Sequence, residues 1–497
     1  MEYFGGASAA NNTTTTETTP LLLGEPIPDP IPGPKSADIK PSDPGSWQQE
    51  IRIILRYSAP LALALLLQYA LTTSSIFVVG HLGKREIGAV SLANMTATIT
   101  GYSVYQGFST CLDTLCPQAY GCGKKTLVGL HLQRLTMLLL FLTVPIAALW
   151  LNADRLFALI LPAQDDETAL LAGLYLKIVL AGAPGYACFE AGKRFLQAQG
   201  MFAACLFVLL VCTAFNAFLG WFLVWSVQKL NWGFIGAPIA VAITNNLLPI
   251  LLALYVYLIR GRECWHPLSG QIWRNWGPMM RLALPSWLMM EAEFIVWELL
   301  TLASSHLGPT ELAAQSALMT VSCFAFYIGF SVSVAGGTHI AMLVGAGALR
   351  RAAVATRVVL CLALTVGASD LVLLISLRHA VPVLFSNNPQ VCHLITKVLP
   401  LCALLQIPDA FAASLNGVLR AVGRPDLGSY VQIPVYYLLA FPLSLGLAFG
   451  MDWSLIGLWT GLSLGQVLNV LIEGGLLWFL VDWEKAARDA STRSMLP

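Results

Sequence analysis

The sequence predicts an all-α integral membrane protein whose twelve transmembrane helices form two parallel six-helix repeats. Three observations predict it. First, only 11% of the 497 residues are charged, 57% are hydrophobic and the mean hydropathy is +0.69. A typical globular chain carries about 25% charged residues. So little charge cannot cover a water-facing surface of this length, so most of the surface must face lipid. Second, twelve apolar stretches are long enough to span a bilayer. Third, landmarks of the first six stretches recur in order in the last six.

The chain begins with a polar segment, residues 1–50, rich in Pro, Thr and Asp. It lacks the long apolar core of a signal peptide and buries too little surface to fold, so it reads as a disordered cytoplasmic tail. Within it, Glu17-Thr18-Thr19-Pro20-Leu21-Leu22 has the pattern of an acidic dileucine sorting signal for vacuoles or lysosomes.

The spanning stretches have cores at 52–80, 87–115, 127–151, 168–192, 202–226 and 234–259 in the first half. Those of the second half lie at 277–304, 311–340, 352–377, 390–418, 427–449 and 454–481. The expected organisation is an N-terminal six-helix lobe at 51–260, a cytoplasmic linker at 261–276, a C-terminal lobe at 277–483 and a tail at 484–497. Lys and Arg concentrate on alternate loops: Lys124, Lys125, Arg260, Arg262, Arg350, Arg351, Arg424 and Arg488 share one side with both termini. Lys84, Arg85, Arg155, Lys229 and Arg378 are left for the other. That asymmetry places both termini in the cytoplasm.

The repeat is read from landmarks. His81-Leu82-Gly83 recurs as His306-Leu307-Gly308, and Arg56 with Pro60 recurs as Arg281 with Pro285, both at an offset of 225. Gly121 and Gly123 match Gly345 and Gly347 at 224, and Leu196 with Gly200 matches Leu419 with Gly423 at 223. Trp232 with Gly236 matches Trp453 with Gly457 at 221. An even number of spans per half gives both halves one orientation. Secondary transporters are commonly built so, with the site near mid-membrane between the halves.

Several classes are excluded. A net charge of +1 and the lack of a long basic tract argue against a nucleic-acid partner. The eleven cysteines form no CxxC pair and no metal-spaced cluster with His, so neither metal nor cofactor is expected. Gly123-Lys124-Lys125-Thr126 falls short of a phosphate-binding loop, and no His, Ser or metal constellation of an enzyme is present.

Acids at membrane depth carry the functional signal, since they are costly there. Glu293 lies about 15 residues past Pro278, hence roughly 22 Å along the seventh span. Dehydration disfavours a charged carboxylate, so such a group suits proton uptake and release. At about 100° per residue, Glu291 and Glu298 share a face while Glu293 points elsewhere. The repeat offset pairs Glu293 with Gln68, an amide. In the tenth span, Pro408 frees the carbonyl of Leu404 and sets Asp409 beside an expected helix break. Asp113, Glu190 and Glu473 read as helix-end structural groups, while Glu291, Asp370 and Lys177 have no assigned role. Aromatic side chains, among them Tyr102, Tyr105, Trp287, Trp297, Phe326 and Tyr327, offer ring faces for organic cations.

Several stretches together resemble eukaryotic members of the multidrug and toxic compound extrusion (MATE) family. They are Val79-Gly80-His81-Leu82-Gly83, Asp113-Thr114-Leu115-Cys116-Pro117-Gln118-Ala119-Tyr120-Gly121, Phe195-Leu196-Gln197-Ala198-Gln199-Gly200, Glu311-Leu312-Ala313-Ala314-Gln315-Ser316 and Gly417-Val418-Leu419-Arg420. The resemblance, over about 50–481, implies proton-coupled antiport of small organic, cationic or amphipathic compounds by alternating access. It implies proton coupling by Glu293, Asp409 and Glu298; substrate contact is expected from Glu293, its repeat partner Gln68 and the aromatic Trp297. Sodium-coupled antiport and a lipid-linked precursor flippase are the alternatives. The expected setting is a monomer among membrane lipid, in the vacuolar or plasma membrane. The chain departs from the family pattern at His339, where an Arg is usual, at Ala341-Met342 in place of Gly-Asn, at Met319 and at the added Glu291. The Pro-rich tail suggests a fungal-type chain.

Overall fold

A computed structural model describes residues 45–80, 82–160, 166–226 and 233–495. The tail pattern Glu17–Leu22 and the landmarks His81 and Trp232 lie outside the described residues. In lipid a backbone must satisfy its own hydrogen bonds, which leaves helices for apolar stretches of this length. The expected spans are all helical. Ten are long and apolar enough by themselves: Trp47–Val79, Lys125–Leu151, Glu167–Ala198, Phe202–Trp225, Gly233–Leu258, Pro309–Gly345, Leu349–Ser376, Pro389–Val422, Pro425–Gly450 and Ser454–Leu480. The second span, Lys84–Ala97, continues through a π-helical turn at Thr98–Tyr102 and Ser103–Ser109, then resumes as Leu112–Gly121. The seventh, Trp276–Leu307, is one 32-residue helix whose apolar character is diluted by Arg281, Glu291, Glu293 and Glu298.

The duplication is visible in how the helices end. Left-handed glycines follow the second and eighth spans at Gly123 and Gly347, and the fourth and tenth at Gly200 and Gly423, with φ of 77°, 74°, 77° and 79°. A left-handed residue just past a helix lets the last carbonyls find donors, and glycine adopts it without strain. Short helices at Ala153–Ile160 and Val381–Phe385 also occupy matching places, between the third and fourth and the ninth and tenth spans. The fifth and eleventh spans both close on π-helical turns, Phe222–Ser226 and Gly446–Gly450.

The bundle is apolar outside and keeps several ionisable groups within. Phe77, Phe141, Leu438, Leu471 and Phe479 stand exposed, whereas Glu190, Asp409 and Glu473 are buried. Such an inversion suits a lipid surround.

The halves meet from mid-span to the end that carries most of the Lys and Arg, referred to below as the basic end. At mid-span, Ser103 Oγ donates to Glu291 Oε2 at 2.6 Å, and Gly107 leaves no room for a side chain against Trp287. At the basic end a Cβ on Gly121 would collide with the carbonyl of Met342, and one on Gly345 with the backbone of Gln118. These repeat mates thus face one another across the seam. Thr114 Oγ1 donates to the Arg420 carbonyl at 2.5 Å and Gln118 Nε2 to that of Ala421 at 2.8 Å. The amphipathic helix Trp483–Met495 caps this end, where Lys124 Nζ reaches the Ser494 carbonyl at 2.9 Å.

Candidate functional site

Glu293, Val296 and Trp297 are spaced three and four apart, so they share one face of the seventh span. That face, with Leu405 and Asp409 of the tenth span, Tyr436 of the eleventh, and Leu462 and Gln466 of the twelfth, lines a small cavity inside the C-terminal half. Two carboxylates therefore share one largely apolar chamber with two aromatic rings. Asp409 is held from one side: Gln466 Nε2 donates to its Oδ1 at 2.9 Å, and Tyr436 Oη donates to Gln466 Oε1 at 2.8 Å. Trp297 is backed by Trp459, with ring centroids 5.5 Å apart. Tyr436 belongs to a π-helical turn, Val435–Ala440. Such turns often re-aim side chains at functional sites.

Of the residues singled out from sequence, the structure brings together Glu293, Asp409 and Trp297. It separates the other two. Glu298 is half-buried, about 140° round the helix from Glu293, and does not line the cavity. Gln68 is in the N-terminal half, where its amide is fully engaged. Its Nε2 donates to Tyr186 Oη and to Glu190 Oε1, each at 2.8 Å, and its Oε1 accepts from Lys193 Nζ at 3.0 Å. The three acids of the seventh span diverge: Glu291 turns to Ser103 of the other half while Glu293 turns inward. The helix break expected at Pro408 is absent, and Pro389–Val422 runs through Pro400 and Pro408 as one helix. Packed neighbours stabilise the helix across the missing amide.

Tyr186 lies 223 residues before Asp409, the offset that pairs Leu196 with Leu419. The hydrogen-bonded pair Gln68–Tyr186 is therefore the repeat counterpart of Glu293 and Asp409. Around it the N-terminal half builds a neutralised cluster. Glu190 Oε1 meets Lys193 Nζ at 2.9 Å, its Oε2 meets Arg194 at 2.6 Å, and Arg194 also meets Asp113 at 3.3 Å. Glu190 is wholly buried within the fourth helix rather than at its end, as is Glu473 within the twelfth. Two acids there face two bases. The C-terminal half instead sets Glu293, Asp409 and Glu473 near the single charge of Arg420, leaving an acidic excess around the cavity. Lys177, which sequence left without a role, pairs with Asp154 at 3.1 Å, and Asp370 is buried on the ninth span.

Tyr436 and Gln466 escaped the sequence reading. Gln466 carried a legible signal, since Gln466, Asn469 and Glu473 fall on one face of an otherwise apolar helix. Tyr436 carried none, because a tyrosine among apolar residues reads as packing.

Comparison with known proteins agrees with this architecture. The MatE family model matches twice, at residues 60–222 and 285–445, once in each half. An uncharacterized transporter of Schizosaccharomyces pombe is 38% identical over 441 residues, covering 88% of this chain and 81% of that one. Multidrug and toxin extrusion protein 1 of Xenopus tropicalis is 30% identical over 450 residues, covering 90% and 77%. The crystal structure of the eukaryotic MATE transporter AtDTX14 superposes with a TM-score of 0.84 at 28% identity, covering 91% of this chain and 100% of that one. With both halves matched and relatives aligned over nearly its whole length, this chain belongs to the MATE family of membrane transporters.

Proposed function

We propose that this chain is a secondary active exporter that exchanges protons for organic cations or amphipathic compounds by alternating access. The observation that carries the reading is the unequal chemistry of the two equivalent positions. The N-terminal half has an amide and a phenol there, locked by hydrogen bonds. The C-terminal half has two carboxylates in a cavity with aromatic walls. A buried anion without a counter-charge is costly, so the pair is best occupied by a proton or a cation. Trp297 and Tyr436 offer ring faces to an organic cation that displaces the proton. Competition for the same carboxylates couples the two fluxes, since proton and substrate favour opposite occupancies of one site.

The halves are joined at the basic end, which corresponds to a state open to the far side. With the basic end in the cytoplasm by charge asymmetry, that far side is the exterior or a vacuolar lumen. The names of the relatives, multidrug and toxin extrusion and detoxification, agree with an export role. We take the transporting unit to be a monomer, since each chain holds both halves.

Proteoliposomes loaded with ethidium, under an imposed pH gradient and then an imposed sodium gradient, test the reading. Uphill movement driven by protons alone is the expected result. Movement under sodium alone would assign the carboxylates to that ion, and movement under neither would favour a substrate of the lipid-linked kind.

A further inference from the structure

Three spans of the C-terminal half carry polar residues in register, leading from the cavity toward the basic end. On the twelfth span Gln466, Asn469 and Glu473 share a face. Gln466 bonds Asp409, and Glu473 lies seven residues further, about 10 Å closer to the basic end. On the tenth, Asp409 is followed by Asn416 and Arg420 at helical spacing. On the eleventh, Tyr436 is one turn from Gln432. Glu473 faces Asn469 and Gln432, with the charges of Arg420 and Glu293 within electrostatic reach and Tyr436 also turned toward it.

This track is under-bonded. Glu473 is 0% exposed, and beyond loose contacts with the Asn469 and Gln432 amides neither carboxylate oxygen has a well-aligned hydrogen bond. The same holds for both polar atoms of the Asn469 amide, for Gln432 Oε1 and for Asn416 Oδ1. Buried polar atoms in folded proteins are nearly always bonded, and leaving one unmet is costly. Six such atoms gather on three converging helix faces. Five of them are acceptors, which suits water molecules and a migrating proton.

The duplication supplies a control. At the offset of 221 that pairs Trp232 with Trp453, Asn469 and Glu473 correspond to Leu248 and Leu252, both buried in apolar packing. The Asn469–Glu473 end of the track therefore has no polar counterpart in the half that lacks the carboxylate pair.

We propose that Glu473 is the exit station through which protons leave the Glu293–Asp409 cavity for the basic end. This rests on the proton-coupled reading above. A proton lost by Glu293 is taken up, through water among the amides, by the Glu473 carboxylate, leaving Glu293 ionised. Glu473 then passes the proton to water at the basic end and returns to its anion, so one proton enters and one leaves. Arg420 is the barrier. Its guanidinium interacts with Asp113 of the N-terminal half and with Glu473, while its carbonyl is clamped by Thr114. A fixed cation on the route repels a proton while the halves are joined. Parting the halves breaks the clamp and frees the passage.

The experiment compares wild type, Glu473→Gln, Glu473→Asp, Asn469→Leu and Glu293→Gln in liposomes. Two readouts are taken: ethidium movement under a pH gradient, and infrared difference spectra of carboxyl protonation during a pH titration, which need no substrate. For Glu473→Gln, the driven rate at saturating ethidium is expected to fall roughly ten-fold or more, with a displaced pH profile and a lesser change in KM. Glu473→Asp restores much of the rate, and Asn469→Leu, which keeps every acid, slows it too. One titrating carboxyl band disappears in Glu473→Gln and a different one in Glu293→Gln. If wild type and Glu473→Gln share rate, pH profile and bands while Glu293→Gln differs from both, the exit station is wrong and antiport stands. If wild type neither responds to the pH gradient nor shows a band that Glu293→Gln removes, the antiport reading itself is wrong, and the exit station with it.

Discussion

The Glu50 carboxylate and the His339 imidazole meet at 2.7 Å, both wholly buried, and so tie the first span of one half to the eighth span of the other. Arg351 Nε completes the contact at 2.6 Å on the second oxygen of Glu50. Gly45, left-handed at φ 69°, leaves the space that the arginine stem occupies. His339 is a position at which this chain departs from the family pattern, so this fastening is partly its own.

Breaking that contact should loosen the basic end. Glu50→Gln removes the buried carboxylate that both His339 and Arg351 bind, and loss of one partner from a buried ion pair is destabilising. A lower unfolding temperature is expected, together with faster alkylation of Cys122, whose thiol donates to the Gly345 carbonyl at 3.0 Å across the same seam. Peptide mass spectrometry of the alkylated protein reads the second effect, and an unchanged Cys122 rate would contradict the role of Glu50 in closure.

The glycine pair makes a steric version of the same test. Any side chain at Gly345 meets backbone of Gln118 rather than a flexible tip, so the halves cannot approach as they do now. Gly345→Val is expected to leave each half folded, abolish transport and expose Cys122 to alkylation. Gly474→Ala, whose Cβ meets only the tip of Leu415, is the matched control and should transport normally.

In the N-terminal half, charge balance predicts non-additivity. Glu190→Gln leaves Lys193 and Arg194 buried with too little negative charge and should destabilise by about 3–5 kcal/mol. Adding Lys193→Met removes one stranded cation. The double variant should then be more stable than the sum of the singles by about 1 kcal/mol or more, read by a thermal double-mutant cycle.

The Asp154–Lys177 pair is the contrasting case. Both side chains are about a third exposed, at 30% and 36%, so the pair should be worth less than about 1 kcal/mol. Lys177 holds the Asp154 carboxyl below the usual carboxylate range through its hydrogen bond. A lowered folded-state value means that this small contribution is present above the ordinary carboxylate range and fades as pH falls through it. Lys177→Met should flatten that acid-side dependence and change little at neutral pH, as thermal melts at both conditions would register.

Much of the fold was legible because its causes are local. Apolar length defines spans, loop charge defines sides, and the recurrence of His81-Leu82-Gly83 as His306-Leu307-Gly308 exposes the duplication. Glu293 stood out because a carboxylate deep in an apolar run is costly. What the sequence did not show is which spans converge. The cavity draws Glu293, Asp409, Tyr436 and Gln466 from four helices, and no pattern within one helix states its neighbours. Gln68 shows the same limit. Its repeat relation to Glu293 was readable, but its capture by Tyr186, Glu190 and Lys193 depends on a span more than a hundred residues away. Glu190 and Glu473 were assigned to helix ends because the sequence does not mark where the bundle buries a helix to its last turn.

The most direct test of the central claim is pH-gradient-driven ethidium transport by wild type and Glu293→Gln, reconstituted side by side at equal protein. Gln keeps the size and polarity of the side chain but cannot release a proton. Wild type is expected to move ethidium uphill under the proton gradient, and Glu293→Gln, folded and inserted equally well, is expected not to. Full pH-dependent transport by Glu293→Gln would contradict the claim.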